Sequence, residues 1–262
     1  MSRPRRARRF LIVGGGCYGT HFARSLLRAR ERRKLPGDEI WVIDRAGDCA
    51  AAALTPRAGF RIVAADWEEF FADYLHGWRE GSGQREEDLL VPSPLAPQLF
   101  GSWLARSLAG EVRLAEVPPP LLPDTPLARL TGTRLAVSFA EWRCPAHCIE
   151  PAVCPATRQP RTWEVPLALR AYARDLRAAG VVPLVGPFAG RVTHLVEGVG
   201  VFPLMDWARA ARALRSTLTG PEAPPAAYAL VGTVSGCHGA ASLLRAERED
   251  TAQAADRPSG RR

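Results

Sequence analysis

Residues 9–19 read RFLIVGGGCYG, a short apolar run that passes directly into three glycines. Four large apolar residues in succession, Phe10 to Val13, suit a strand buried on both faces. The segment after the glycines, residues 17–34, carries a helical pattern that ends in the basic cluster RARERRK, where cations complement the helix dipole. Strand, tight turn and helix are therefore expected in that order. Gly14, Gly16 and Gly19 stand at G-x-G-x-x-G spacing. Gly14 would make the turn, Gly16 would let the backbone approach an anionic group, and Gly19 would let the helix pack closely. The free amide protons at the helix start, those of Cys17 and Tyr18 among them, would face that anion.

Working outward, DEIWVID (38–44), FRIVAAD (60–66) and LLVPSP (89–94) read as further strands. WEEFFADYLHGW (67–78) and APQLFGSWLARSLAG (96–110) read as helices between and after them. Strands alternating with helices of this length form βαβ units, so a mainly parallel sheet is expected over 9–110. Asp44 closes the second strand, thirty residues after Gly14. That offset exceeds the usual spacing of about twenty, and the loop RRKLPGD accounts for the excess. RFLIVGGGCYG and IWVIDR together resemble the Rossmann family of dinucleotide-binding proteins, both its oxidoreductases and the nucleotide-sensing regulatory domains of potassium uptake systems. The resemblance covers about residues 9–110. It implies a doubly wound α/β fold in which Gly14, Gly16, Gly19 and Asp44 contact the nucleotide, with Asp66 near its adenine side. An acid at position 44 favours NAD over NADP, although the neighbouring Arg45 could serve a phosphate.

The second half also alternates. TRLAVSFAEW (133–142), VVPLV (181–185), THLVEG (193–198) and YALVGTVSG (228–236) are strand candidates, with helices at 165–180 and 203–218. Continuation of the same sheet is preferred over a small companion domain. The expected organisation is a basic tail (1–8), a dinucleotide-binding half (9–115), a Pro-rich linker or loop (116–130), a second α/β half (131–249) and a polar tail (250–262). The fold class is thus α/β, a Rossmann-like doubly wound sheet with a cysteine-rich loop insertion at 143–155.

That insertion, RCPAHCIEPAVCP, holds Cys144, Cys148 and Cys154 within eleven residues. The paired C-x2-C knuckles of a zinc ribbon are absent, and the resemblance to a ferredoxin Cys-Pro ending is local. A fourth ligand must come from His147 or from farther away. The best distant candidate is Cys237 in VSGCHGA, since both segments would follow strands that end on one edge of the sheet. Four thiolates suit an iron–sulfur cluster or tetrahedral zinc; buried thiols and a redox disulfide are the other readings. Among acid–base candidates are His147 and His194, with Cys17 as a thiol at a helix start and Glu141 and Glu150 as nearby carboxylates. His21 and His76 read as solvated or structural. With Lys34 as the one lysine, a Schiff-base mechanism is disfavoured.

The net charge of +8 over 262 residues invites a nucleic-acid reading. The charge concentrates in the N-terminal tail and the first helix end, and no aromatic–basic interleaving accompanies it, so nucleic acid is disfavoured as a partner. No apolar run is long enough for a secretory signal or a membrane span, which gives a cytoplasmic expectation without membrane insertion. The function expected from the sequence is an NAD(H)-binding, oxidoreductase-like protein with a cysteine-ligated iron–sulfur or zinc centre. It would work with a small-molecule or redox partner and is compatible with homo-oligomers. A non-enzymatic nucleotide or redox sensor with a structural metal is the alternative.

Overall fold

The computed structural model describes residues 7–32, 34–35, 37–76, 87–96, 98–145, 148–196, 198–219 and 222–249. Residues 1–6 of the basic tail, the tail 250–262 and His147 lie outside the described residues. The first half follows the expected alternation: β1 (Ala7–Val13), α1 (Cys17–Glu31), β2 (Gly37–Asp44), β3 (Phe60–Ala64), α2 (Trp67–Leu75), β4 (Leu89–Val91) and α3 (Leu99–Ser107). A short 3-10 turn at Ala50–Leu54 lies between β2 and β3.

The second half contains more strands than the sequence suggested. They are β5 (Val112–Val117), β6 (Leu127–Thr131), β7 (Arg134–Ser138), β8 (Leu184–Arg191), β9 (Thr193–Val196), β10 (Val199–Pro203), β11 (Ala226–Val234) and β12 (His238–Arg248). Helix α4 (Val165–Ala178) precedes β8, and α5 (Met205–Leu218) follows β10.

These strands form two sheets, which corrects the expectation of one extended, mainly parallel sheet. The first has the order β3-β2-β1-β4-β10-β9, with β1 to β4 parallel and β10 antiparallel to both of its neighbours. The second runs β6-β7-β12-β11-β8, with β5 also on β12, and is antiparallel except for the β8–β11 pair. The chain leaves the second sheet at the end of β8 and enters the first at β9, across Val192, whose amide donates to the Val234 carbonyl at 2.8 Å.

Burial explains the layering. In β1, Phe10 and Ile12 pack with Ala23, Leu26 and Leu27 of α1, whereas Leu11 and Val13 face α2, α3 and α5. A strand apolar on both sides is what a sheet covered on both faces requires. The second sheet repeats the arrangement: Ala227, Ala229 and Val231 of β11 meet the same three helices, and Leu230 and Val234 meet Leu169, Tyr172 and Leu176 of α4. The layers are therefore α1, first sheet, α2–α3–α5, second sheet, α4. Trp207 anchors the middle layer, stacked on Phe100 with centroids 5.3 Å apart and edge-on to Phe71 at 5.4 Å. Burying several such rings contributes much of the apolar stabilisation between the sheets.

Asp66 caps α2, its carboxylate accepting from the amides of Glu68 at 2.9 Å and Glu69 at 3.2 Å. Burial pushes its pKa up, but Arg45 and the two amides outweigh that and hold it below the usual 3.8. Asp66→Ala is expected to lower stability at neutral pH by about 1 kcal/mol, the usual worth of such a cap. A group with a depressed folded pKa stabilises above its unfolded pKa and loses that contribution as the pH falls through its folded value. The gap between wild type and variant in urea denaturation should therefore close below pH 3.8.

Candidate functional site

The glycine turn opens at the C-terminal edge of the first sheet. Gly14 has φ +82°, and its amide donates to the Ile43 carbonyl at 2.8 Å. A side chain at Gly19 would overlap the Gly14 carbonyl oxygen, whereas nothing lies within 4 Å of the corresponding position on Gly16. Gly14 and Gly19 thus serve the fold, and Gly16 faces open space. Asp44 directs one oxygen to the Gly15 amide at 2.7 Å and the other to the Ala46 amide at 2.9 Å. The Cys49 sulfur packs against Gly15 from the far side, and the Ala51 amide donates to the Gly15 carbonyl at 3.0 Å. Asp44 therefore clamps the turn, while Arg45 and Asp66 are joined to each other by a hydrogen bond of 2.7 Å. The open side of the turn is the start of α1, with Cys17 and Tyr18 exposed and no acidic residue in the first turn.

On the second sheet β7 and β11 are both antiparallel to β12, hence parallel to each other, and their C-terminal ends share an edge. The cysteine-rich segment departs after β7, and Cys237 sits in the turn from β11 to β12; the Phe139 amide donates to the Cys237 carbonyl at 2.8 Å. Cys144, Cys148, Cys154 and Cys237 consequently line one small pocket together with Trp142, Glu150 and Arg161. All six cysteines of the chain are free. Among the described residues no group of three or more His, Cys, Asp or Glu side chains is arranged to hold a metal ion.

Glu150 ties the segment to the turn. At φ +52° it turns its carboxylate toward the Gly236 amide at 2.8 Å and the Cys237 amide at 3.1 Å. Burial opposes its ionisation, but the Ser235 hydroxyl, the Gly236 amide, His194 and the Cys237 amide hold its pKa below the usual value. The thiols differ. Burial raises the pKa of Cys237 to about 11, although the Trp163 indole counteracts this, donating to the sulfur at 3.2 Å. Burial and the neighbouring Cys148, Cys154 and Glu150 raise Cys144. Hydrogen bonds from the Thr157 amide and hydroxyl lower Cys154. Cys148 accepts from the Glu150 amide at 3.4 Å.

The two edges face each other across a cleft of about 1280 Å³. Cys17, Tyr18 and His21 form one wall; Cys144, Cys148 and Cys237 stand on the other, with His194 and His238 beside them. His194 places Nδ1 3.8 Å from Glu150, and burial lowers its pKa despite that carboxylate. The fold thus gathers three of the four proposed thiol ligands, Cys144, Cys148 and Cys237, and two of the proposed acid–base groups, Cys17 and His194, around one space. It also adds His21 and His238 to the lining and gives Glu150 a structural role.

Residues 100–247 match the family model AF_1314_C, described as "Uncharacterized protein, C-terminal domain". The chain belongs to the AF_1314_C family. No curated protein and no solved structure matches it.

The AF_1314_C segment runs from α3 to β12 and contains all four pocket cysteines, Glu150 and His194. The glycine turn lies before it, so the cleft combines a wall inside the AF_1314_C segment with one outside. Among the described residues no helix is long and apolar enough to cross a membrane. Trp142 and Trp163 escaped the sequence reading. Their signal was their position, two residues before the first cysteine of the stretch and nine after the last.

Proposed function

We propose that this chain is a cytoplasmic redox protein in which Cys144, Cys148, Cys154 and Cys237 hold an iron–sulfur centre. Beside that centre, the cleft takes a phosphate-bearing nucleotide on Gly16–Gly19. The observation that carries this reading is the meeting of four thiols, three from one loop and one more than eighty residues away, on a single pocket. Apolar packing accounts poorly for sulfurs surrounded by amide and indole donors, because such donors stabilise thiolate rather than thiol. A buried thiol whose pKa is about 11 becomes a thiolate once a cation compensates it. A single zinc would draw all four sulfurs to about 2.3 Å from one point. Four thiols around one pocket also supply the ligand number of an iron–sulfur cluster, in which each sulfur binds its own iron.

The parallel order β3-β2-β1-β4 and the turn after β1 support a Rossmann-like reading of the first lobe, with NAD as the leading ligand. The cleft exceeds the roughly 300–1,000 Å³ of ordinary small-molecule pockets, leaving room for a second group beside a nucleotide. An iron–sulfur centre takes single electrons and a nicotinamide exchanges a hydride, so a flavin or redox partner would have to mediate between them. Cys17 and His194 are the residues placed to serve proton transfer or thiol chemistry there.

Anaerobically purified protein is expected to contain iron and acid-labile sulfide and to show visible absorption that bleaches on reduction. Stoichiometric zinc in colourless protein would reassign the metal, and metal-free protein would remove the proposal. NADH oxidation with an artificial acceptor would support the enzyme, whereas NAD binding without turnover would support a sensor.

A further inference from the structure

Two indoles stand at the cysteine pocket. The Trp163 Nε1–H donates to the Cys237 sulfur at 3.2 Å. The Trp142 Nε1 is buried and makes no hydrogen bond among the described residues. It lines the same pocket as Cys144, Cys148, Cys154 and Cys237. Both rings are held from behind: they meet edge to face with centroids 5.6 Å apart, and Trp163 stacks on Phe139 at 6.5 Å. A buried indole N–H without an acceptor is costly, and it is rarely retained unless something accepts it. The pocket that Trp142 lines is where negatively charged sulfur would sit.

We infer that Trp142 and Trp163 donate their indole N–H groups to the sulfurs of the centre and thereby raise its reduction potential. The inference rests on the iron–sulfur reading of the four cysteines. Its physical basis is that one-electron reduction adds negative charge to the sulfurs. A fixed N–H dipole pointing at them therefore stabilises the reduced state more than the oxidised one. Trp163 acts on the Cys237 thiolate, and Trp142, whose Nε1 makes no hydrogen bond among the described residues, acts on the sulfur nearest its ring. Neither residue ligates iron; both are positioning residues.

The test is anaerobic redox titration with dithionite, followed by visible absorption and electron paramagnetic resonance, on wild type, Trp163→Phe and Trp142→Phe. Phenylalanine keeps an aromatic ring in each place and removes the donor. Retained iron with a more negative midpoint potential in each variant is the expected result. Retained iron with unchanged potentials would overturn the inference while leaving the cluster in place. Absence of iron from the wild type would instead defeat the underlying reading. Should either substitution expel the cluster, the wild type still decides. With tryptophan labelled by nitrogen-15 in the indole ring, its reduced cluster should show couplings to the indole nitrogens. Complete absence of such couplings in the wild type rules out the donors.

Discussion

Cys237→Ser is expected to strip the protein of its iron and visible absorption. The loss should exceed the roughly 10–100-fold fall in affinity that removal of an outer-shell partner produces. Cys237 reaches the pocket from a different part of the chain than Cys144, Cys148 and Cys154, so it closes the site across the two segments. Its removal leaves three ligands on one loop, and that loop is then anchored to the β11–β12 turn chiefly through Glu150. Because metal affinity adds to folding free energy where the site forms only in the folded state, the variant should also unfold at a lower temperature. Cys17→Ser and Cys49→Ser serve as controls, since neither residue lines the pocket; both should keep full iron. Iron retained in Cys237→Ser but lost in Cys154→Ser would transfer the fourth position to another residue. Iron retained in all four single variants would eliminate the site.

The sequence made the first lobe legible because its strands are buried on both faces and its turn is spelled in glycines. The second lobe hid for identifiable reasons. β12, HGAASLLRAER, is rich in Ala, Leu and Arg and has the local preferences of a helix, yet it pairs with β5, β7 and β11 as the central strand of the second sheet. Non-local pairing overrides its local preference, and no short window reports that. β5 and β6 flank the Pro-rich segment 116–126, which conceals them, and Pro203 ends β10 where it was expected near a helix start. The proximity of Cys237 to the cysteine stretch could be anticipated because ends of parallel strands share an edge. The same geometry arises here in a mostly antiparallel sheet, with β12 between the two strands. Asp44 shows the limit of motif reading: its place at the end of β2 was legible, but the engagement of both its oxygens by backbone amides was not.

The glycine turn offers the sharpest separation of folding from binding, because two of its glycines differ in what surrounds them. Gly19→Ala places a methyl group against the Gly14 carbonyl oxygen, which is backbone and cannot rotate away. Gly14 cannot retreat easily, being held at positive φ and bonded to Ile43 in β2. The expected cost lies at the upper end of the about 1–3 kcal/mol typical of overpacking, seen as a lower Tm and urea midpoint. Gly16→Ala is the opposite case. Its φ of −72° suits any L residue and no atom lies within 4 Å of the added methyl, so stability should fall only by the roughly 0.5–1 kcal/mol that separates Ala from Gly at a helix N-cap. A phosphate resting on the amides at the start of α1 would nevertheless be pushed outward by that methyl. NAD or AMP affinity, measured by calorimetry, should fall by at least about tenfold, equivalent to about 1.4 kcal/mol. If Gly16→Ala binds as tightly as the wild type, the phosphate does not sit on this turn. If neither protein binds a nucleotide, the glycines serve only the close packing of α1 against β1, and the cleft must be filled by a ligand of different chemistry.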